Sequence, residues 1–207
     1  MKCVKPILVS LALVIAVAGA TTAAAAAFSA SASVSPQLWT WYDESGDPVD
    51  ERAHTTTTMA LRLPVLGRFS VEVAGHSGTV ISGFEGGIGL TVLDAGPVEL
   101  AAVVRQRQLS VDTDRAYTVT GLGYGVRAGL WLFVTALKAE YMSIPSGEAA
   151  AGDEQWNVSG QFYSISADLF RFGPFRVQAG YRHEQLRVDG GGQATNQGAL
   201  LGAAFEF

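Results

Sequence analysis

The chain has 207 residues, of which 48% are apolar and only 16% are charged. Fourteen Lys and Arg against 19 Asp and Glu give a net charge of −5, the wrong sign for a nucleic-acid-binding protein. A single cysteine, Cys3, excludes a disulfide framework and a cysteine-based zinc site, so we expect no metal ion and no cofactor. The mean hydropathy of +0.23 is high for a soluble domain, yet no apolar run long enough for a transmembrane helix follows residue 27.

The first 27 residues have the pattern of a secretory signal peptide. Two lysines precede an almost wholly apolar stretch at residues 6–20, and small residues at 25–27 provide a cleavage site. Residues 30–32 provide an alternative site. A retained membrane anchor is the other interpretation of this segment, but no basic cluster follows it. Residues 28–207 are then expected to form one domain.

Beyond residue 35 the dominant repeat is two residues, which is the signature of β-strands. Residues 69–73, for example, place Phe and Val on one face and Ser and Glu on the other. Tight turns at 94–97 and 171–174 are interspersed with longer polar connections at 144–154 and 187–196. Short turns on one side and longer loops on the other are typical of outer-membrane barrels. A soluble antiparallel barrel is the alternative interpretation of the same repeat.

Ten strands account for the alternation. Working back from the C-terminus, they are predicted near residues 196–207, 174–187, 156–170, 131–143, 116–128, 98–109, 80–93, 69–75, 57–65 and 36–43. An even number returns both chain ends to the same side of the membrane, as in single-chain bacterial barrels. Eight strands preceded by an N-terminal periplasmic arm are the alternative. Pro64 is expected at the rim, because proline cannot donate to a hydrogen-bond ladder inside a closed sheet.

Aromatic residues are expected to mark the two interfaces with the membrane. The belt on the short-turn side is predicted to contain Trp131, Phe170, Phe172, Phe175 and Phe207. The belt on the loop side is predicted to contain Tyr42, Tyr117, Tyr141, Trp156 and Tyr181. Aromatics at strand ends have no such purpose in a soluble barrel, so these positions favour a membrane barrel.

The last six residues resemble a known targeting signal. Gly202 is followed by aromatics at the third-last and last positions, Phe205 and Phe207. This resembles the C-terminal signal of bacterial outer-membrane β-barrel proteins, except that Leu200 stands where the family has a polar residue. The resemblance implies an all-β, up-and-down transmembrane barrel in the outer membrane of a Gram-negative bacterium, inserted by the barrel-assembly machinery. It points to no functional subfamily.

The polar side of the alternating pattern is expected to face the lumen of the barrel. Its charged members are Arg62, Arg68, Glu72, Glu85, Glu99, Arg105, Arg107, Arg127, Lys138, Glu140, Asp168, Arg176, Arg182, Glu184 and Glu206. Side chains nearly fill a barrel of this size, so these charges are expected to form arginine–carboxylate pairs between strands. Two interpretations stay open: a hydrated, salt-bridged plug, or a narrow porin-like path for ions or small solutes. Inward glycines such as Gly89 and Gly123 are expected to make room for larger side chains.

Three classes of function are consistent with this pattern. The first is a structural or narrow-pore barrel without enzymatic activity. The second is a surface-binding or adhesion-type barrel acting through its loops at 44–56 and 144–155, with lipopolysaccharide as a partner bridged by cations on acidic loop residues. The third is a lipid-modifying or proteolytic enzyme with His54, His76 and Ser77 at the rim, although histidines at a polar rim are more commonly not catalytic.

Overall fold

The computed structural model describes residues 28–113, 116–132, 135–190 and 192–206, which form a closed antiparallel β-barrel. Ten strands pair with their neighbours in chain order, and the first also pairs with the last. They are β1 (Ser29–Tyr42), β2 (Pro48–Leu66), β3 (Phe69–Gly78), β4 (Ile81–Ala95), β5 (Val98–Val111), β6 (Tyr117–Leu132), β7 (Thr135–Ala151), β8 (Glu154–Phe172), β9 (Phe175–Val188) and β10 (Gln193–Glu206). No helix in the described ranges is long and apolar enough to cross a membrane. The predicted ten-stranded barrel is confirmed, and the eight-stranded alternative is wrong because β1 and β2 complete the ring. The predicted signal peptide and Phe207 lie outside the described residues.

The strands are longer than predicted on the loop side. The segment 144–154, predicted as a long loop, continues β7 to Ala151, and the hairpin then closes around Gly152 at a positive φ of 61°. An irregularity between Ile144 and Gly147 lets the strand pass Pro145 and then resume pairing with β8. Polar and proline-containing sequence therefore remains in the sheet, and the predicted loop boundary is wrong.

Two other predicted boundaries on the chain are also wrong. The loop proposed at 44–56 is mostly strand, because β2 begins at Pro48 and pairs with β1 from there to Arg62. The strand predicted at 131–143 merges two elements, since Trp131 belongs to the end of β6 and β7 begins at Thr135. Inward-facing Trp131 lines the lumen, so it is not part of an outer aromatic belt.

The seam between β1 and β10 closes the barrel. Its pairing runs from Ser29 opposite Glu206 to Tyr42 opposite Gln193. Pro36 interrupts the ladder because it has no backbone N–H. Beside it, the Ser35 hydroxyl donates a hydrogen bond to the Ala199 carbonyl at 2.5 Å, which supplies a donor at the interruption.

We call the end of the barrel that holds Ser29 and Glu206 the turn side, and the opposite end the loop side. Strands on the turn side are joined by the connections at 67–68, 96–97 and 173–174. The loop-side connections at 43–47, 79–80 and 152–153 are short too. The barrel therefore carries no long surface loop in the part of the chain that the structure describes.

Outward side chains on the turn-side half form an apolar belt. Its exposed members include Met59, Phe69, Ile88, Leu90, Val92, Leu100, Val104, Val126, Leu137, Ile165, Leu169, Phe172 and Leu201. Exposed tyrosines follow at its loop-side edge: Tyr124, Tyr141, Tyr163 and Tyr181. Apolar side chains on the outside of a closed barrel, edged by aromatics, are suited to contact with lipid.

The polarity of both faces reverses on the loop-side half of the same strands. Outward positions there carry amides and hydroxyls: Gln106, Gln108, Thr118, Thr120, Ser143, Asn157, Gln161, Gln185 and Gln197. Inward positions carry a buried apolar cluster, which we call the loop-side core: Trp39, Val80, Ile81, Leu109, Val111, Val119, Ile144, Ala149, Val158, Leu186 and Ala194. This half is organised like a soluble protein, with an apolar interior and a polar exterior.

Strand length agrees with this division. A tilted strand crosses a membrane with about 9–11 residues. β7 has 17 residues and β8 has 19. The excess is about six residues or more, which at about 3.3 Å per residue extends the hairpin by roughly 20 Å along the strand direction. The loop-side half therefore stands above the lipid-facing belt. Tyr117 and Trp156, predicted for the loop-side belt, instead pack inward against the loop-side core, a further correction.

Candidate functional site

Ion pairs line and cross the lumen between the loop-side core and the turn side. The deepest pair group centres on Arg107, which is 4% exposed and lies between two carboxylates from different walls of the barrel. Its Nε donates to Glu85 Oε1 at 2.7 Å, and its Nη1 donates to Glu184 Oε1 at 2.7 Å. Because β5 and β9 are not neighbours, the bond to Glu184 crosses the lumen. Arg182 completes the group, with its guanidinium carbon 4.8 Å from the centre of the Phe162 ring.

A second layer lies one step closer to the turn side. Arg105 donates from Nη2 to Glu72 Oε2 at 2.7 Å and from Nη1 to Glu140 Oε1 at 2.5 Å, so one guanidinium links β3, β5 and β7. Glu72 also accepts Arg127 Nη1 at 2.7 Å. Gly89 makes this arrangement possible, because a Cβ there would lie 3.0 Å from Glu72 Oε1. The expectation that inward glycines make room for larger side chains applies at this position.

The third layer surrounds the turn-side opening. Asp168 accepts Arg176 Nη1 at 3.0 Å and Gln178 Nε2 at 2.8 Å. Arg176 also pairs with Glu206 on the last strand. Arg62 donates to Glu99 Oε1 at 3.1 Å. Lys138 Nζ is 3.8 Å from Asp168 Oδ1, too far for a hydrogen bond.

The structure brings nearly all of the predicted lumen charges into these three layers. The residues concerned are Arg62, Glu72, Glu85, Glu99, Arg105, Arg107, Arg127, Lys138, Glu140, Asp168, Arg176, Arg182, Glu184 and Glu206. Arg68 is different, because it lies in the turn between β2 and β3 and is exposed. The alternating pattern predicted a lumen position for Arg68, but β2 ends at Leu66. That prediction is therefore wrong.

The two histidines proposed for a rim enzyme are inside the barrel. His54 is 6% exposed, and its ring nitrogens lie 3.2 Å from Asn196 Oδ1 and 3.2 Å from Thr56 Oγ1. His76 is 7% exposed and lies 3.2 Å from Glu85 Oε1. Both rings are held in hydrogen-bonded positions away from solvent, so neither can meet a substrate at the rim. The rim-site hypothesis built on them is wrong.

The loop-side core closes the lumen above the ion pairs. Trp39 is 2% exposed and Leu109, Ile144 and Leu186 are 5% exposed or less, although all four lie on inward positions. The sequence reasoning missed this cluster, because it assigned the inward side of every strand to polar residues. A signal was present in β5, where Leu109 and Val111 continue the inward alternation of Arg105 and Arg107.

A cavity of about 650 Å³ occupies the turn-side part of the lumen. The charged layers form its inner end, while Ser29, Ser31 and Ser33 of β1 contribute one wall. Trp131 and Asp94 lie at its turn-side end. The cavity exists because β1 presents small hydroxyl side chains opposite strands that carry arginines. In the described part of the chain, no group of three or more His, Cys, Asp or Glu residues could hold a metal ion.

The barrel resembles solved bacterial outer-membrane proteins. The outer membrane protease OmpT from Escherichia coli matches with a TM-score of 0.57 and 9% identity over 90% of this chain and 99% of that chain. An outer membrane channel from Pseudomonas putida F1 has a TM-score of 0.48 and 14% identity over 90% of this chain and 97% of that chain. Neisserial surface protein A has a TM-score of 0.33 and 11% identity over 87% of this chain and 99% of that chain.

No protein-family model and no curated protein matches the sequence. The likeness to OmpT therefore concerns the fold alone. That fold, together with the apolar belt on the outside of the barrel, agrees with the predicted location in the bacterial outer membrane. The chain thus has the fold of a bacterial outer-membrane β-barrel, built here from ten strands.

Proposed function

We propose that this protein is a non-enzymatic outer-membrane barrel with a closed lumen and a structural role. The observation that carries the proposal is the loop-side core, which fills the barrel with apolar side chains above the charged layers. An ion on its way through the lumen has to lose its water there, and the apolar side chains of the core do not replace that water. A structural barrel is therefore better supported than the narrow-pore alternative.

The charged layers support the same conclusion. Glu85, Arg107 and Glu184 are each 7% exposed or less and are bonded to one another across the lumen. Such pairs hold opposite walls of the barrel at a fixed distance. A conducting path has to separate them, and breaking a buried ion pair costs about 3–5 kcal/mol.

Conductance in planar lipid bilayers tests the proposal. The wild-type protein is expected to give no current steps above the leak. A variant that opens both barriers, Trp39→Ala with Leu109→Ala and Arg107→Ala, is expected to give measurable current if it still folds, which shows that the assay detects an open lumen. The matched control replaces an outward leucine of the lipid-facing belt, Leu137→Ala, and is expected to stay silent. Regular current steps from the wild type refute the closed barrel in favour of a narrow pore.

A surface-binding role is the second candidate, and a patch on the outer face of β8–β10 favours it. Tyr163 stacks on His183 with ring centroids 4.8 Å apart, and Tyr181 donates to Gln197 Oε1 at 2.9 Å. This patch lies where the apolar belt meets the polar half, the level of lipid headgroups. We propose that it contacts the sugars of lipopolysaccharide. We also propose that the barrel-assembly machinery inserts the chain through its last strand, β10.

The patch can be tested in vesicles with and without lipopolysaccharide. The expected result is that added lipopolysaccharide raises the unfolding temperature of the wild type more than that of His183→Ala with Gln197→Ala. The control is Gln108→Ala, which changes an outward residue of the same polar half on β5, across the barrel from β9. Equal stabilisation of all three proteins argues against the patch while leaving the closed lumen untouched.

A further inference from the structure

We propose that the turn-side cavity binds a small solute through an oxyanion, either a carboxylate or a phosphate group. The cavity has about 650 Å³, within the size range of small-molecule sites in proteins. It is concave, lined by side chains of both charges, and closed at its inner end by the ion-pair layers. The inference goes beyond the structural role, because a closed barrel does not need a cavity of this size.

The hydrogen bonds of the charged layers are unequally distributed. Each of the seven lumen carboxylates has a cationic nitrogen within 3.1 Å: Glu72, Glu85, Glu99, Glu140, Asp168, Glu184 and Glu206. The cationic side chains have fewer hydrogen-bond partners. Arg127 Nε and Nη2 and Arg182 Nε are buried without an acceptor among the described residues, and so are Arg107 Nη2 and Arg176 Nε, which do not line the cavity. Lys138 has no carboxylate oxygen nearer than 3.8 Å in the same part of the chain.

Three of these cations line one cavity. All of Arg127, Lys138 and Arg182 are among its lining residues. The register places Lys138 opposite Gly129, the next inward position after Arg127, and Arg182 opposite Ser164. The cations therefore lie on β6, β7 and β9. Together with β8, which lies between β7 and β9, these strands form one continuous wall.

Small side chains leave space in front of that wall. Ser164 and Ser166 are the inward residues of β8 between Lys138 and Arg182, and both line the cavity. Their hydroxyl groups can donate to an oxyanion that also meets the cations. A buried donor without an acceptor costs about 1–3 kcal/mol, so an oxyanion bound there removes a penalty that the empty wall carries.

The outer part of the cavity restricts what the rest of the solute can be. Asp94 and Glu206 lie at the turn-side end, and Asp94 is exposed. A second anionic group on the solute is disfavoured there by repulsion from Asp94. The site thus fits a solute with one oxyanion directed inward and a neutral or cationic remainder directed toward the opening.

Titration calorimetry on the purified protein, folded in uncharged detergent micelles, tests the proposal with inorganic phosphate, acetate and glycine as probes. Lys138→Met removes the least paired cation, while Asp168 keeps both Arg176 and Gln178. We expect at least one probe to bind the wild type, and Lys138→Met to weaken that binding tenfold or more. The control, Arg187→Met, removes an exposed arginine outside the cavity and is expected to bind as the wild type does.

The probes separate the two sources of the oxyanion. Binding of phosphate alone assigns a phosphate-bearing solute, and binding of acetate or glycine assigns a carboxylate. Unfolding temperature, measured in parallel, shows whether each variant is folded. No binding by any probe up to about 10 mM, or equal binding by wild type and Lys138→Met, overturns the site. Neither outcome bears on conductance, so the closed barrel is judged separately.

Discussion

Removing Arg107 is the most direct test of the charged lumen. Its two hydrogen bonds of 2.7 Å are the shortest cation contacts of both Glu85 and Glu184. In Arg107→Met, Glu85 keeps His76 at 3.2 Å, and Glu184 keeps Arg182 at only 3.8 Å. The variant therefore leaves buried carboxylates with weakened compensation. We expect the free energy of unfolding to fall by about 3–5 kcal/mol.

A second variant separates the lost ion pair from the lost packing. Arg107→Met with Glu184→Gln also removes the charge of the carboxylate that suffers most, and a coupling of about 1–3 kcal/mol is expected relative to the sum of the single variants. Urea unfolding in lipid vesicles, followed by heat-modifiable gel mobility and tryptophan emission, measures both. Arg187→Met is the control for loss of an exposed arginine. If Arg107→Met costs no more than Arg187→Met, the lumen charges are hydrated and the inferred closure of the lumen by ion pairs is wrong.

Three further predictions use the same unfolding assay. Ala102→Arg, in the outward belt, is expected to cost about 2–4 kcal/mol, whereas Gln108→Arg, outward on the polar half of the same strand, is expected to cost about 0–1 kcal/mol; equal costs contradict the position of the belt. Gly125→Ala is expected to destabilise because its Cβ meets the Tyr141 carbonyl, and Gly86→Ala, with nothing within 4 Å, is expected to be nearly neutral. Leu109→Ala is expected to cost about 2–5 kcal/mol as a buried residue of the loop-side core, and a cost below about 1 kcal/mol contradicts its tight packing.

The barrel itself was predictable because lipid imposes a simple rule on the sequence. Where a strand lies in the belt, most outward residues are apolar and most inward residues are polar or small, as in the turn-side half of β5 with Val104 and Arg105. That rule produces a repeat of two that can be recognised without knowing any contact. The strand count follows from the repeat together with the turns. These local signals, together with the C-terminal resemblance and the even strand number of bacterial barrels, predicted the ten-stranded barrel.

The loop-side half was not predicted because its strands keep the repeat of two residues, while the polar and apolar residues exchange faces. Gln108 and Leu109 still alternate, but now the polar residue faces outward and the apolar residue faces inward. If every polar residue is taken to face the lumen, residues such as Gln108 are assigned to loops or to the inward face, although they face outward. It also places His54 at a rim, when the strand continues and turns its ring into the barrel. The position at which the two faces exchange depends on where the membrane ends. The sequence of a single strand does not indicate that position.

The charge of the lumen shows why the pairing needed the structure. The alternation predicts that arginines and carboxylates share the interior, but Arg107 meets Glu184 only because β5 and β9 lie across the barrel from each other. Within the three layers, seven cations face seven carboxylates, so the lumen has no formal net charge. Selective channels use an excess of one sign to attract their ions. A balanced set, locked in short pairs below an apolar core, instead cross-links the walls. The small imbalance that is left is in hydrogen-bond acceptors rather than in charge. Part of it lies at the cavity wall, where Arg127 and Arg182 keep donors that a bound oxyanion can satisfy.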